Sequence, residues 1–189
     1  MIMNKIRLRK MILTSLFVVI IAACSWISFP FPITGIPITL QTLAVFLSLY
    51  VIGGKWSSIA VVIYIVLGIL GVPVFSGFKS GIGVIIGPTG GYIIGFIFMT
   101  LLYWLMEVVI KKDKIWIKIL TQIVGLILCY TFGTIWFVFV YTHNTGDMSF
   151  GLALSYCVIP YIIPDLAKLI VATTLSIPIN ILKTKYLKI

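Results

Sequence analysis

The sequence predicts an all-α integral membrane protein, folded as a compact bundle of six transmembrane helices with its N- and C-termini in the cytoplasm. Three observations predict this class. The 189-residue chain is 61% hydrophobic and 10% charged, whereas soluble domains carry about 25% charged residues. Several of its apolar runs approach the roughly 20 residues that a membrane-spanning helix needs. Its basic residues collect at alternate ends of these runs, which is the pattern that sets membrane orientation.

Six apolar runs are predicted to be the spans of a single domain, residues 1–189. The first run ends before a proline-rich segment that cannot continue a helix, and the second and third are separated by the turn Gly53-Gly54-Lys55. A short helix near the surface is predicted between the fifth and sixth spans. The six runs cover residues 11–28, 39–53, 56–71, 89–109, 115–141 and 161–182.

The N-terminus resembles an export signal, because basic residues precede an apolar stretch. The segment from Ile21 to Cys24 reads "IAAC" and is similar to a lipoprotein cleavage site. We interpret this region as a first membrane helix rather than a cleaved signal.

The net charge of +10 is explained by orientation and does not require a nucleic-acid partner. With the N-terminus inside, the outer loops hold only Lys79, and Lys168 lies within the last span. The positive charge then faces the cytoplasm and the anionic inner leaflet. The twelve remaining basic residues are predicted to be cytoplasmic: Lys5, Arg7, Arg9, Lys10, Lys55, Lys111, Lys112, Lys114, Lys118, Lys183, Lys185 and Lys188.

This orientation places the unusual features of the sequence on the outer face. The Pro-rich loop 29–38, the Gly-rich loop 72–88 and the polar loop 142–148 all lie outside. We therefore expect any ligand site at the outer end of the bundle.

Two opposite charges interrupt the last apolar run, which reads "IPDLAKLIV" over residues 163–171. Asp165 and Lys168 are spaced i, i+3 and share one helical face. Pro164 suits the first turn of a helix, which would put Asp165 at a helix N-terminus. The pair has two compatible interpretations. It is an internal ion pair that neutralises itself, or a polar binding site facing a cavity, since ionisable residues inside spans are functional candidates.

For several other residues, the sequence leaves open whether they have a structural role or contact a ligand. Gly95 forms a GxxxG pair with Gly91, which favours close helix packing. Gly90, Tyr92 and Gln41 fit either helix packing or contact with a ligand, and Lys79 is either a solvated loop residue or a partner for a carboxylate.

The sequence favours binding over catalysis. Four acidic residues and one histidine do not assemble into a recognisable catalytic set, and neither a metal motif nor a nucleotide-binding motif is found. We predict no catalytic residue, no metal and no cofactor. The three cysteines lie in apolar contexts without paired spacing, so each is predicted to be an unpaired buried thiol.

Three segments together resemble the BioY family, the biotin-specific S components of energy-coupling factor (ECF) transporters. They are "PITGIPITLQTLAVFL", "YIVLGILGVPVFSGFKSGIGVIIGPTGGYIIGF" and "IPDLAKLIVA". The resemblance covers residues 10–180, and its most specific part is the middle segment. It implies the six-helix S-component fold, biotin as the transported ligand, and a location in the bacterial plasma membrane. It also implies membrane lipid as surroundings and three partner subunits for uptake, namely a T subunit and two cytoplasmic ATPases.

The resemblance assigns the family's acid and lysine of the last helix to Asp165 and Lys168. The ureido ring of biotin would place its N–H groups on Asp165 and its carbonyl on Lys168. The apolar remainder of biotin suits Phe75 and Tyr92, and its carboxylate would meet Lys79 or backbone N–H groups of the Gly-rich loop. The expected ligand site therefore comprises Asp165, Lys168, Gln41, Tyr92, Gly90, Phe75 and Lys79.

The sequence alone is compatible with three rival functions. The same fold could carry another vitamin such as riboflavin or thiamine. The chain could instead be a membrane-embedded enzyme acting on lipid, or a structural subunit without a small ligand.

Overall fold

A computed structural model of the protein describes residues 2–29, 36–111, 114–144 and 146–182. Within these ranges the chain is helical apart from a small antiparallel ribbon and its loops, so the all-α prediction is confirmed. The elements in chain order are α1 (Ile2–Trp26), β1 (Ser28–Phe29), β2 (Ile38–Thr39), α2 (Gln41–Ile69), a 3-10 turn (Ser76–Phe78), α3 (Ile82–Ile86), α4 (Gly90–Ile110), α5 (Ile115–Asn144), α6 (Phe150–Cys157) and α7 (Ile159–Leu182).

Five of the described helices, α1, α2, α4, α5 and α7, are long and apolar enough to cross a membrane. The first helix begins at Ile2, well before the predicted start at residue 11. The basic segment before residue 11 is therefore helical, which suits lysine and arginine because both are good helix formers.

The α2 segment turns back on itself at Gly53, where the backbone leaves the helix with φ 79° and ψ 167°. The Gln41 amide nitrogen donates a hydrogen bond of 2.9 Å to the Tyr64 hydroxyl, 23 residues later. In a straight helix these residues would be about 35 Å apart. The two halves of α2 are therefore antiparallel neighbours joined at a glycine, whose positive φ suits a residue without Cβ.

The α2 hairpin lies at the centre of the bundle and packs against α1, α4 and α7. Its buried core includes Phe46, Val61 and Tyr64, each with no exposed surface. At the turn, a Cβ on Gly54 would lie 2.4 Å from the Trp104 backbone, so α2 and α4 approach more closely than any other residue would allow.

Glycines also line the seam between α4 and α5. A Cβ on Gly91 would lie 2.3 Å from the Trp136 side chain, and one on Gly95 would lie 2.7 Å from the Cys129 sulfur. Gly133 offers the matching gap on α5 for the Tyr92 ring. The predicted packing role of Gly95 is confirmed, and the seam follows the small-residue rule of membrane helices.

The predicted short helix before the last span is α6, capped by the Ser149 hydroxyl, which accepts from the Leu152 N–H at 3.3 Å. The last helix, α7, begins at Ile159, two residues before the predicted span, but the predicted first-turn position of Pro164 is wrong because Pro164 lies inside the helix. Pro160 takes the first-turn position that we expected for Pro164. Asp165 consequently lies within the helix, away from its N-terminus. Its carboxylate is therefore not stabilised by the positive end of the helix dipole.

The Gly-rich loop after α2 is tied to the end of α1. The Trp26 indole N–H donates to the Pro73 carbonyl at 2.8 Å, and the Ser25 hydroxyl donates to the Val74 carbonyl. Phe78 stacks on Trp26 with ring centroids 5.0 Å apart. These contacts position the loop beside the ends of α2 and α4.

Several predicted features lie outside the described residues. They are Pro30 and Pro32 of the Pro-rich loop, Lys112 at the α4–α5 turn, and Lys183, Lys185 and Lys188 after α7.

Candidate functional site

A cavity of about 180 Å³ lies between α2, α4, α5 and α7, beneath the Gly-rich loop. Its walls are mostly apolar or aromatic, with a few polar groups, which is the usual composition of a small-molecule site. Six of the seven predicted site residues line it: Asp165, Lys168, Gln41, Tyr92, Phe75 and Lys79.

The charged end of the cavity is built from α7 and α5. The Lys168 ammonium lies 2.6 Å from Asp165 Oδ1, and both side chains are about nine-tenths buried. The Tyr130 hydroxyl donates to Asp165 Oδ2 at 2.5 Å. Each carboxylate oxygen therefore has one charged or polar donor. The short distances are typical of charge-assisted hydrogen bonds.

This arrangement explains how two ionisable groups are tolerated in an apolar bundle. A buried ion pair is stable only when its geometry is good and further hydrogen bonds satisfy it. The i, i+3 spacing on α7 supplies the geometry, and Tyr130 supplies one further bond. An ammonium has three N–H donors, and the described contact with Asp165 uses one of them.

Gln41 begins α2 at the same cavity. Its amide donates to the Tyr64 hydroxyl, which uses one of its two N–H donors. Tyr64 in turn meets the Phe75 ring edge to face, with centroids 5.5 Å apart. Gln41 is thus held in place by the second half of the α2 hairpin.

Two aromatic rings form apolar walls. Phe75 is 1% exposed, and its ring fills the space where a Cβ on Gly68 would stand. Tyr92 lies against Gly133, and its hydroxyl is 3.1 Å from the Thr134 hydroxyl. Both rings are fixed by glycines on a neighbouring helix.

Lys79 lines the cavity at its mouth, whereas Gly90 does not line it. Lys79 is exposed at the cavity mouth, where its backbone pairs with Phe75 in an isolated antiparallel bridge. Gly90 is not among the lining residues. A Cβ there would lie 1.7 Å from the Ile85 carbonyl oxygen, so Gly90 permits the tight connection from α3 to α4. Of the two interpretations left open for Gly90, the structure therefore supports packing.

The cavity also contains residues that sequence reasoning missed, chiefly Tyr130 and Tyr161. The Tyr161 hydroxyl donates to the Ile36 carbonyl at 2.6 Å and joins α7 to the segment before α2. Neither tyrosine stands out in the sequence, because each lies in an apolar run whose inward face is not marked. Gly133 and Thr134, which contact the Tyr92 side chain, are the residues of α5 that could have indicated which face of this helix lines the cavity.

All three cysteines are unpaired. Cys129 and Cys157 are buried at the cavity, as predicted, whereas Cys24 is only half-buried. Burial raises the pKa of the Cys157 thiol on α6 to about 11, so this side chain stays neutral. Among the described residues, no three His, Cys, Asp or Glu side chains come together as a metal site.

The buried Asp165–Lys168 pair predicts how single and double substitutions of its members change the free energy of unfolding. Lys168→Met alone leaves the buried Asp165 carboxylate without its cation and should cost about 3 kcal/mol, the lower end of the range for a broken buried pair. Asp165→Asn combined with Lys168→Met should recover much of this loss. Thermal unfolding of the ligand-free protein in detergent measures both.

The exposed residue Lys5 provides the control, since Lys5→Met removes the same charge from a side chain that is not buried and does not line the cavity. Equal unfolding temperatures for Lys168→Met and Lys5→Met would show that the pair has no structural role.

Comparison with known proteins gives a consistent result. The model of the BioY family matches residues 2–184. The protein "Biotin transporter BioY" of Thermotoga maritima is 34% identical over 178 residues, covering 94% of this chain and 99% of that protein. "Biotin transporter BioY2" of Lactococcus lactis is 36% identical over 172 residues, covering 90% of each.

The fold also matches a solved structure, the S-component for biotin from an ECF-type ABC transporter. The TM-score is 0.78 at 19% identity, with 90% of this chain and 89% of the other covered. The predicted S-component fold is confirmed at the level of its architecture. The family match and the two relatives together show that this chain is a member of the BioY family.

Proposed function

We propose that this protein is the biotin-binding S component of an ECF transporter, which captures biotin at the outer face of the membrane and delivers it inward. The observation that carries the proposal is the buried Asp165–Lys168 pair lining an otherwise apolar cavity. Relatives at 34% and 36% identity that are named biotin transporters support biotin over riboflavin or thiamine.

The polar end of the cavity complements a cyclic urea. The ureido group of biotin has two N–H donors and one carbonyl acceptor. The Asp165 carboxylate can accept from an N–H, and a Lys168 N–H that is not used by Asp165 can donate to the carbonyl. Both bonds involve an ionised partner, which makes them about twice as strong as bonds between neutral groups.

The remaining walls complement the rest of the molecule. The fused rings and the aliphatic chain are apolar and suit Phe75, Tyr92, Ile93 and Phe96, which all line the cavity. We propose that Lys79, which is exposed at the mouth, contacts the terminal carboxylate. Because Lys79 is exposed, this contact contributes less than the buried pair.

We infer six passes through the membrane by counting the two halves of α2 separately. Gly53 lies at the end of the bundle opposite the cavity, since Gln41 and Tyr64 on the two halves meet near the cavity. α1 ends beside the Gly-rich loop and therefore begins at the far end with its basic residues. We infer that this far end, which also carries Lys55 and Lys111, is cytoplasmic.

Uptake requires partners that supply energy. The chain has no recognisable ATP-binding motif, and the family resemblance implies a T subunit with two cytoplasmic ATPases. In this proposal the protein binds and carries its ligand without chemical change, so it is not an enzyme.

The ion pair sets the first test of binding. Asp165→Asn and Lys168→Ala should each weaken biotin binding at least tenfold, about 1.4 kcal/mol, because each removes one charge-assisted bond. Equilibrium dialysis with labelled biotin measures the loss, with riboflavin and thiamine as comparison ligands.

Asp147→Asn is the matched control, because Asp147 is exposed and does not line the cavity. Wild-type biotin affinity in both ion-pair variants, with unchanged folding, would remove the proposed role. If the wild type binds riboflavin or thiamine more tightly than biotin, then that vitamin, and not biotin, is the ligand.

The mouth of the cavity gives a second test. Lys79→Gln should weaken binding of biotin by up to about fivefold, about 1 kcal/mol, and should leave binding of biotin methyl ester unchanged. Lys79→Arg, which keeps the charge, should retain most of the affinity. If Lys79→Gln lowers affinity for both ligands equally, the lysine does not act on the carboxylate.

A further inference from the structure

Two adjoining cavities lie between α4 and α5 at the end of the bundle opposite the ligand cavity. They enclose about 220 Å³ and about 490 Å³. They share four lining residues, Met106, Ile110, Ile117 and Thr121, and so form one continuous groove. This groove plays no part in the proposed ligand site.

The two halves of the groove differ in chemistry. The first half is lined by Lys111 and Lys118 as well as Glu107. The second half is apolar apart from Lys114 and Thr121, with Leu120 and Val124 among its walls. A molecule that fills both halves must therefore be amphipathic, with a polar head beside the lysines and an apolar tail along the helices.

The charge of the groove favours an anionic head. Three lysines and one glutamate line it, which gives a formal charge of +2. The Glu107 carboxylate is directed towards α2, where Oε2 accepts the Gly54 N–H at 2.7 Å. Glu107 is the one acidic residue among the described lining residues, and this bond ties one of its carboxylate oxygens to the α2 turn. Lys112 and Asp113 lie outside the described residues, and their formal charges cancel.

The apolar half opens towards the surroundings of the bundle. Trp116 is 59% exposed and Leu120 is 53% exposed, although both line the groove. In a membrane this surface meets acyl chains, and tryptophan is enriched at the level of the headgroups. A basic pocket between transmembrane helices near a membrane surface is a known form of headgroup site for acidic lipids.

We propose that this groove is a binding site for one anionic phospholipid. Its phosphate lies at Lys111 and Lys118, Lys114 contributes charge from the second half, and one acyl chain follows the wall formed by Leu120 and Val124. The site is a defined cavity, which distinguishes it from the general excess of basic residues at this end of the protein. It lies apart from the ligand cavity, so it binds lipid whether or not biotin is present.

The test compares two lipids with the same acyl chains, phosphatidylglycerol and phosphatidylcholine, added to the purified full-length protein in detergent. Phosphatidylglycerol should raise the thermal unfolding midpoint by several degrees more than phosphatidylcholine, since a ligand that binds only the folded state stabilises it. The triple variant Lys111→Gln, Lys114→Gln, Lys118→Gln should lose this difference.

The control variant Lys5→Gln, Arg7→Gln, Lys10→Gln removes the same charge from the start of α1 and should keep the lipid preference. Equal loss in both triple variants would overturn the proposal in favour of diffuse attraction to net charge. Equal stabilisation by both lipids, or by water-soluble glycerol phosphate, would also overturn it. So would a groove variant that keeps its lipid preference but no longer assembles with a T subunit, because the groove would then be a protein interface.

Native mass spectrometry gives a second readout that tolerates a less stable variant. The wild type should retain one phosphatidylglycerol molecule more often than one phosphatidylcholine molecule, and the single variant Lys118→Gln should reduce that retention at least threefold. Retention that does not depend on Lys118 would contradict the assigned headgroup position.

Discussion

The buried contact between Asp165 and Lys168 is the constraint on which the ligand cavity depends. An aspartate and a lysine in an apolar bundle are stable only when each charge is matched and the free donors and acceptors are few. Here one turn of α7 places the ammonium 2.6 Å from the carboxylate, and Tyr130 on α5 occupies the other carboxylate oxygen. The pair thus joins two helices and still presents hydrogen-bonding groups to the cavity.

The shape of this cavity depends on the reversal of α2, on two glycines beside its aromatic walls and on the bonds that hold the Gly-rich loop. The reversal of α2 at Gly53 brings Gln41 and Tyr64 to the same wall. Glycines at positions 68 and 133 leave the space that the Phe75 and Tyr92 rings occupy. The bonds from Ser25 and Trp26 hold the Gly-rich loop over the mouth. A movement of the end of α1 would therefore be transmitted directly to the loop that covers the cavity.

Much of the fold could be predicted from the sequence, because membrane helices are marked by length, hydropathy and the placement of lysine and arginine. The place of Pro164 within α7 could not be decided this way, since Pro160 and Pro164 both suit a first helical turn and only tertiary packing decides between them. The spacing of Asp165 and Lys168 predicted their pairing, whereas Tyr130 could not be assigned, because which helix faces the pair depends on how α5 is rotated. The sequence makes Gly90 a candidate for ligand contact because backbone N–H groups at a helix start can bind an anion, whereas the structure packs Gly90 against the Ile85 carbonyl.

The most direct test of the central claim compares biotin with two analogues by isothermal titration of the purified protein. Iminobiotin replaces the ureido carbonyl by a group that carries positive charge when protonated, and dethiobiotin keeps the ureido group but lacks the sulfur. If Lys168 donates to the ureido carbonyl, iminobiotin should bind at least tenfold more weakly than biotin, and dethiobiotin should lose less than iminobiotin does. Iminobiotin binding as tightly as biotin would contradict the account, because the ion pair would then not recognise the cyclic urea.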